Sequence, residues 1–209
     1  MRLAVTISSL VAAVTQCCLG QSDTNTIAVG DWSAPVRDGI CTLRGRLVVY
    51  APEPQTEQEK EMGLWQGARV FLELQRLRYT LNEPVEIFID RYLPMHAEMH
   101  DGQGNAIAGR KGWHPMDGPL PPRYTVTLPP DSTLRLHAST GLAARSSDIL
   151  RVAVPEASWA IPLGSTNEYL LSATFSPATN HPSALNYQCW RGTLHLPKVR
   201  IPSEKLKEP

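Results

Sequence analysis

The sequence predicts an all-β protein, an antiparallel β-sandwich, and three observations predict this class. Apolar and polar residues alternate over many short runs, which is the period of half-buried strands rather than of helices. Clusters of Gly, Pro, Asn and Asp separate these runs. The chain also contains 18 prolines, which disfavour long helices. Many short strands punctuated by turns are typical of sandwiches.

Seven runs carry the alternation. In the first, Cys41 to Tyr50, Leu43, Leu47 and Val49 share one face. The other runs are Ala68 to Leu77, Val85 to Asp90, Tyr124 to Leu128, Thr133 to Ala138, Tyr169 to Phe175 and Trp190 to Leu196. Each is predicted to be a strand that buries one face. Within these runs or beside them, Trp65, Trp159 and Trp190 are expected to pack in the core or at a sheet edge.

The remaining segments are predicted to be irregular. Gln55 to Met62 is short and charged, and it fits either a helix or a solvated loop. Gly109 to Pro122 is too rich in Gly and Pro for a strand ladder and is expected to be a long loop. Ser176 to Gln188 is expected to be a second one. Long loops on a rigid sandwich are common binding sites.

The first twenty residues have the pattern of a secretory leader. Arg2 gives the positive start, Leu3 to Val14 is uncharged and mostly apolar, and cleavage after Gly20 would leave small residues at Cys18 and Gly20. The sequence therefore predicts a secreted or periplasmic protein. A lipid-anchored alternative, with Cys17 as the modified residue, remains open, although Gln16 fits such a leader poorly.

The predicted organisation has four parts. Residues 1–20 form the signal peptide, 21–40 a flexible N-terminal arm, 41–202 a single β-sandwich domain and 203–209 a C-terminal tail. No later segment is long and apolar enough to cross a membrane, so no transmembrane segment is expected in the mature chain. The chain has 20 basic and 20 acidic residues, so it has no overall attraction to nucleic acid.

Outside the leader the chain has two cysteines, Cys41 and Cys189. In an oxidising compartment an even pair most simply forms one disulfide, which here would connect the first predicted strand to the last. The alternative is a pair of buried free thiols.

Four short motifs resemble those of secreted immunoglobulin-like sandwiches. Tyr79 to Val85 resembles the turn that leads into one of their strands, and Asp101 to Gly104 lies where such domains often place a hairpin turn. Leu128 to Asp131 resembles their Leu-Pro corner, and Glu168 to Phe175 is similar to their penultimate strand. The resemblance covers Trp65 to Ile201 and implies an immunoglobulin-like sandwich of about seven to nine strands. Macroglobulin-type domains and small bacterial protease-inhibitor sandwiches share this order of motifs, and fold alone does not imply function.

A cluster of His, Met and Glu is the richest candidate site. His96, Glu98 and His100 alternate with Met95, Ala97 and Met99, and His114 follows in the Gly/Pro-rich loop. These are ligand types for copper or zinc. In a strand, His96 and His100 would be about 13 Å apart, so they could not easily grip one ion together. The alternative is that the Met side packs inward and the His/Glu side faces solvent.

Trp113 in the same loop has basic neighbours, Arg110 and Lys111, and could form a contact patch for a partner. The alternative is a tryptophan that anchors the loop. Asp101 to Gly104 is better explained as a tight hairpin than as a calcium loop, because it lacks the other acidic positions.

These observations predict a non-catalytic secreted or periplasmic module rather than an enzyme. The sequence lacks a G-x-S-x-G elbow, a P-loop and a G-x-G-x-x-G fingerprint. The expected partner is a protein or a component of the cell envelope, bound through the loops, with no resident cofactor. A periplasmic copper- or zinc-binding protein and a secreted protease inhibitor are the alternatives.

Overall fold

The computed structural model describes residues 25–39, 41–52, 56–61, 65–77, 84–89, 93–111, 124–138, 142–143, 148–177 and 189–203. These residues form antiparallel sheets and one five-residue helix, α1 (Glu57–Glu61). The all-β class predicted from the alternating runs is therefore confirmed, and the helix lies within the stretch predicted to be either helix or loop.

The strands run from one end of the described chain to the other. They are β1 (Thr26–Val29), β2 (Val36–Asp38), β3 (Cys41–Tyr50), β4 (Trp65–Gln66), β5 (Arg69–Leu77), β6 (Val85–Ile89), β7 (Met95–Asp101), β8 (Ala106–Ile107), β9 (Arg110–Lys111), β10 (Tyr124–Leu128), β11 (Thr133–His137), β12 (Leu142–Ala143), β13 (Ile149–Val154), β14 (Ala157–Pro162), β15 (Tyr169–Phe175) and β16 (Leu194–Ile201).

Two larger sheets hold most of these strands. One has the order β1-β3-β5-β11, with β2 also paired to β3, and the other has the order β16-β15-β7-β8. A three-stranded sheet, β13-β14-β9, and two pairs, β10-β6 and β12-β4, complete the described architecture. The ladders between these strands are all antiparallel.

The hydrophobic core takes one face from each larger sheet. On β3 and β5 the inward positions are Leu43, Leu47, Val70, Leu72 and Leu74, which are all fully buried. Gly45 lies among them because a side chain there would collide with Leu194 and Leu196 of β16. The two sheets therefore pack closely at this point, and the alternation predicted for β3 and β5 decides which of their faces is buried.

Trp159 and Trp190 are buried, as predicted. Trp159 donates a hydrogen bond from Nε1 to the carbonyl oxygen of Ile107, and its ring lies against Gly109, where a Cβ would be 2.9 Å away. The side chain of Trp65 lies outside the described part of the chain.

The segment predicted to be a flexible arm contributes instead to the first sheet. Its described part, residues 25–39, contains β1 and β2, which both pair with β3. Between these strands, Gly30 N donates to Leu47 O and Ser33 N donates to Gly45 O. These residues pair with β3 through backbone groups, and Ile27, Ala28 and Val36 pack against the core.

Other boundaries also differ from the prediction. The described residues contain sixteen strands rather than seven to nine, and four of them are only two residues long. The hairpin of β13 and β14 was not predicted, because Pro155 and Pro162 resemble breaks although they lie at its turn and its end. The last strand begins at Leu194 rather than Trp190. Arg110 and Lys111, predicted to be loop, pair with Ser158 and Ala157 through backbone groups.

Gly67 marks a close approach between β5 and the β13–β14 hairpin. A Cβ on Gly67 would lie 2.5 Å from the carbonyl oxygen of Arg151, which already accepts the amide of Ala68 at 2.8 Å. We expect Gly67→Ala to lower the free energy of unfolding by about 2–3 kcal/mol, because backbone must move to make room. Urea denaturation measures this change.

Gly102→Ala is the matched control for this variant. The nearest atoms to a Cβ on Gly102 would belong to the exposed Glu168, its Cβ at 3.1 Å and its Oε2 at 3.2 Å, so a shift of a few tenths of an ångström relieves the contacts in this control variant. Its expected cost is below about 1 kcal/mol. Equal losses for the two variants would show that the Gly67 contact is not the cause.

Candidate functional site

The predicted His/Met cluster lies on β7, where the Met residues and the His and Glu residues occupy opposite faces of the strand. Met95, Ala97 and Met99 are buried, whereas His96 and Glu98 are exposed. The Met residues therefore belong to the core and are not placed beside the histidines as metal ligands.

On the outer face of β7, Glu98 lies between two histidines. Its Oε1 is 3.9 Å from Nε2 of His96, and its Oε2 is 3.8 Å from Nε2 of His100. Nδ1 of His96 lies 2.7 Å from a carboxylate oxygen of Glu156 in the β13–β14 turn and donates to it. The outer face of β7 is thus linked to the β13–β14 hairpin by a surface hydrogen bond.

The predicted metal ligands do not form one site in the described part of the chain. No group of three or more His, Cys, Asp or Glu side chains there is arranged to hold a metal ion. The reason is the strand geometry, which directs His96 and His100 to opposite sides of Glu98. His114, the fourth predicted ligand, lies outside the described residues.

Cys41 and Cys189 are both buried, and the disulfide predicted between them is not formed in this structure. Burial raises the pKa of Cys41 to about 11. Burial also raises the pKa of Cys189, whose Sγ lies 3.8 Å from Oε2 of Glu86. Each thiol is therefore held protonated, Cys189 beside a carboxylate that accepts its weak hydrogen bond.

The predicted binding loop is described only at its start. Arg110 and Lys111 are exposed on β9, an edge strand of the three-stranded sheet. Trp113 lies outside the described residues, as does 178–188 of the second predicted loop. A charged strand end of this kind protects a sheet edge against pairing with another chain.

Asp101 forms the predicted hairpin turn between β7 and β8. Its carboxylate accepts hydrogen bonds from the backbone amides of Gln103 and Asn105 and from the side chain of Asn105, at 2.8–2.9 Å. These bonds lower the pKa of Asp101 below its usual value, and the bond from the Asn105 side chain has the largest effect. Gly104 has a φ of 89°, a conformation that glycine adopts readily.

The outer side of the β1-containing sheet holds a site that the sequence patterns did not single out. The register places Arg44, Arg46 and Tyr50 of β3 beside Gln75, Glu73 and Arg69 of β5, and Glu73 beside Arg135 of β11. We call this set the arginine face; it consists of Trp32, Arg44, Arg46, Tyr50, Arg69, Phe71, Glu73 and Arg135. The Arg, Lys, Asp and Glu residues at the outward positions of the three strands are thus four arginines and one glutamate.

Trp32 holds one pair of these arginines. It lies between β1 and β2, and its ring is 4.8 Å from the guanidinium carbon of Arg44 and 4.5 Å from that of Arg46. Arg44 also donates from Nε to the side-chain oxygen of Gln75 at 2.8 Å. These contacts restrict both side chains to a narrow range of positions.

Tyr50 holds the second pair. Its ring lies 5.5 Å from the guanidinium carbon of Arg69 and 5.3 Å from that of Arg135. Phe71 packs edge-on against Tyr50, with 5.3 Å between the ring centroids. The aromatic rings of this face are therefore covered by guanidinium groups rather than bare.

Glu73 connects the strands of the arginine face. Its carboxylate accepts a hydrogen bond of 2.7 Å from Nε of Arg46 and bonds of 2.9 and 2.7 Å from Nε and Nη2 of Arg135. The Glu73 side chain is only 5% exposed, whereas those of Arg46 and Arg135 are 29% and 41% exposed. The glutamate is thus a buried structural anchor, and the arginines reach solvent.

The sequence does contain a signal for this face. The positions between the buried residues of β3, β5 and β11 carry Arg44, Arg46, Arg69 and Arg135, with one acidic residue among them. A count of charges by strand face would have found the excess of arginine, although only the strand register shows that these residues meet.

Comparison with known proteins identifies no relative: no protein-family model, no curated protein and no solved structure matches the chain. The part of the chain that the structure describes has no helix with the length and apolar character needed to cross a membrane.

Proposed function

We propose that the protein is a non-catalytic, exported module of the immunoglobulin-like β-sandwich type that binds a negatively charged macromolecular partner. The leader pattern supports export, and the order of sequence motifs supports the type of sandwich. The arginine face supports binding and is the observation that carries the proposal. We propose this face as the contact surface in place of the predicted loops, because paired strands fix the positions of its arginines.

The charge of the arginine face favours an acidic partner. The chain as a whole is neutral, so four arginines against one glutamate on three adjacent strands are a local concentration of positive charge. Arginine forms two parallel hydrogen bonds with carboxylates and other oxyanions, and it is less strongly hydrated than lysine. Such a surface attracts and orients a charged partner.

Binding to immobilised poly-L-glutamate and heparin, measured by biolayer interferometry at low salt, tests this proposal. We expect the protein to bind these polyanions and to release them as salt is raised. The double variant Arg44→Gln/Arg69→Gln is expected to weaken binding at least about tenfold. Neither residue contacts Glu73 in the ion pairs described above, so the central anchor is retained.

Lys198→Gln/Arg200→Gln is the matched control. It removes two cations from the outward positions of β16 in the other larger sheet, where Arg200 pairs with Glu168 at 3.0 Å. This variant should bind both polyanions as the wild type does. Absence of polyanion binding in the wild type, or equal losses in the two double variants, would overturn the assignment of the arginine face.

A further inference from the structure

The guanidinium groups of the arginine face are arranged before any partner binds. Trp32 contacts Arg44 and Arg46, and Tyr50 contacts Arg69 and Arg135. Glu73 joins Arg46 to Arg135 between them. Side chains that are already restricted lose little conformational entropy when they form new hydrogen bonds. The face therefore favours a partner whose acidic groups match these positions over one that is merely acidic.

The positions follow the repeat of an extended chain. Arg44 and Arg46 are alternate residues of one strand, about 6.6 Å apart along it, and Tyr50 lies about 20 Å from Arg44. An extended peptide presents alternate side chains on one side at the same repeat. Arg135 lies level with Arg46, and Arg69 lies level with Tyr50. A segment of about seven residues laid along β3 could thus place its carboxylates over arginines from Arg44 to Arg69.

The chemistry of the face favours a protein segment over a glycan or a nucleic acid. Sugars and bases gain affinity by stacking on bare aromatic rings, and the rings here are covered by guanidinium groups. Trp and Arg are among the residue types that dominate the binding energy of protein–protein interfaces, and Trp32 and the four arginines are partly or fully exposed here.

We infer that the arginine face binds an extended acidic protein segment in which Asp or Glu occupies alternate positions. This inference rests on the proposed function and adds the class and conformation of the partner.

Two synthetic peptides of identical composition test the inference by isothermal titration calorimetry with the full-length protein. One alternates Glu and Thr over eight residues, and the other has four Glu followed by four Thr. We expect the alternating peptide to bind at least about tenfold more tightly than the block peptide. The Arg44→Gln/Arg69→Gln variant should lose this preference, and Lys198→Gln/Arg200→Gln should retain it.

The outcomes separate this inference from the proposed function. Equal affinities for the two peptides would overturn the extended acidic segment, while binding of polyanions would leave the proposed function standing. Tighter binding of a heparin oligosaccharide or of single-stranded DNA than of the alternating peptide would likewise overturn a protein partner. If neither peptide nor any polyanion binds, both proposals fail.

Discussion

Replacing Trp190 with alanine is expected to lower the free energy of unfolding by about 3–5 kcal/mol. The side chain is 2% exposed and stacks on Phe175, with ring centroids 6.4 Å apart and the planes nearly parallel. Gly192 lies against the same indole, so close that a Cβ would be 2.5 Å from it. Alanine would leave a cavity that these rigid neighbours cannot fill. Urea denaturation followed by circular dichroism measures the loss.

Trp190→Phe separates the packing of the ring from its polar group. Nε1 of Trp190 is buried and has no hydrogen-bond partner among the described residues. Phenylalanine keeps an aromatic ring against Phe175 and removes this unpaired donor, whose burial is unfavourable by about 1–3 kcal/mol. We expect this variant to lose less than half as much stability as the alanine variant. Equal losses would mean that the indole nitrogen is paired in solution.

The strands that could be predicted are those in which burial alternates. Cys41–Tyr50 has the predicted bounds because Leu43, Leu47 and Val49 alternate along it and face the core. Residues 25–39 could not be predicted in the same way, since backbone groups at Gly30 and Ser33 attach them to β3. A backbone ladder leaves little trace in the choice of side chains.

The candidate sites also divide into a part that local alternation predicts and a part that it does not. Alternate residues of a strand point to the same side, which places His96, Glu98 and His100 together on one face of β7. The arginine face combines residues of three strands with Trp32 from outside them, so it depends on the register of β3, β5 and β11. Register is decided by contacts between distant parts of the chain, and no local pattern specifies it.

Glu73→Ala is expected to lower the free energy of unfolding by about 2–4 kcal/mol. Removing one member of a buried ion pair commonly costs 3–5 kcal/mol, because a charge is left without its partner. Here Arg46 and Arg135 reach solvent and can turn towards water, which reduces the cost. Glu168→Ala is the control: it breaks the exposed pair with Arg200 and is expected to cost at most about 1 kcal/mol.

The same glutamate is expected to have opposite effects on stability and on binding. Glu73→Gln keeps the shape of the side chain and one acceptor oxygen, so it should destabilise less than alanine does. It also removes the one negative charge among the outward positions of β3, β5 and β11. The arginine face of this variant should therefore bind poly-L-glutamate more tightly than the wild type at low salt, while the protein unfolds at a lower urea concentration. A variant that is less stable and also binds more weakly would show that Glu73 positions the arginines for binding, rather than opposing the partner's charge.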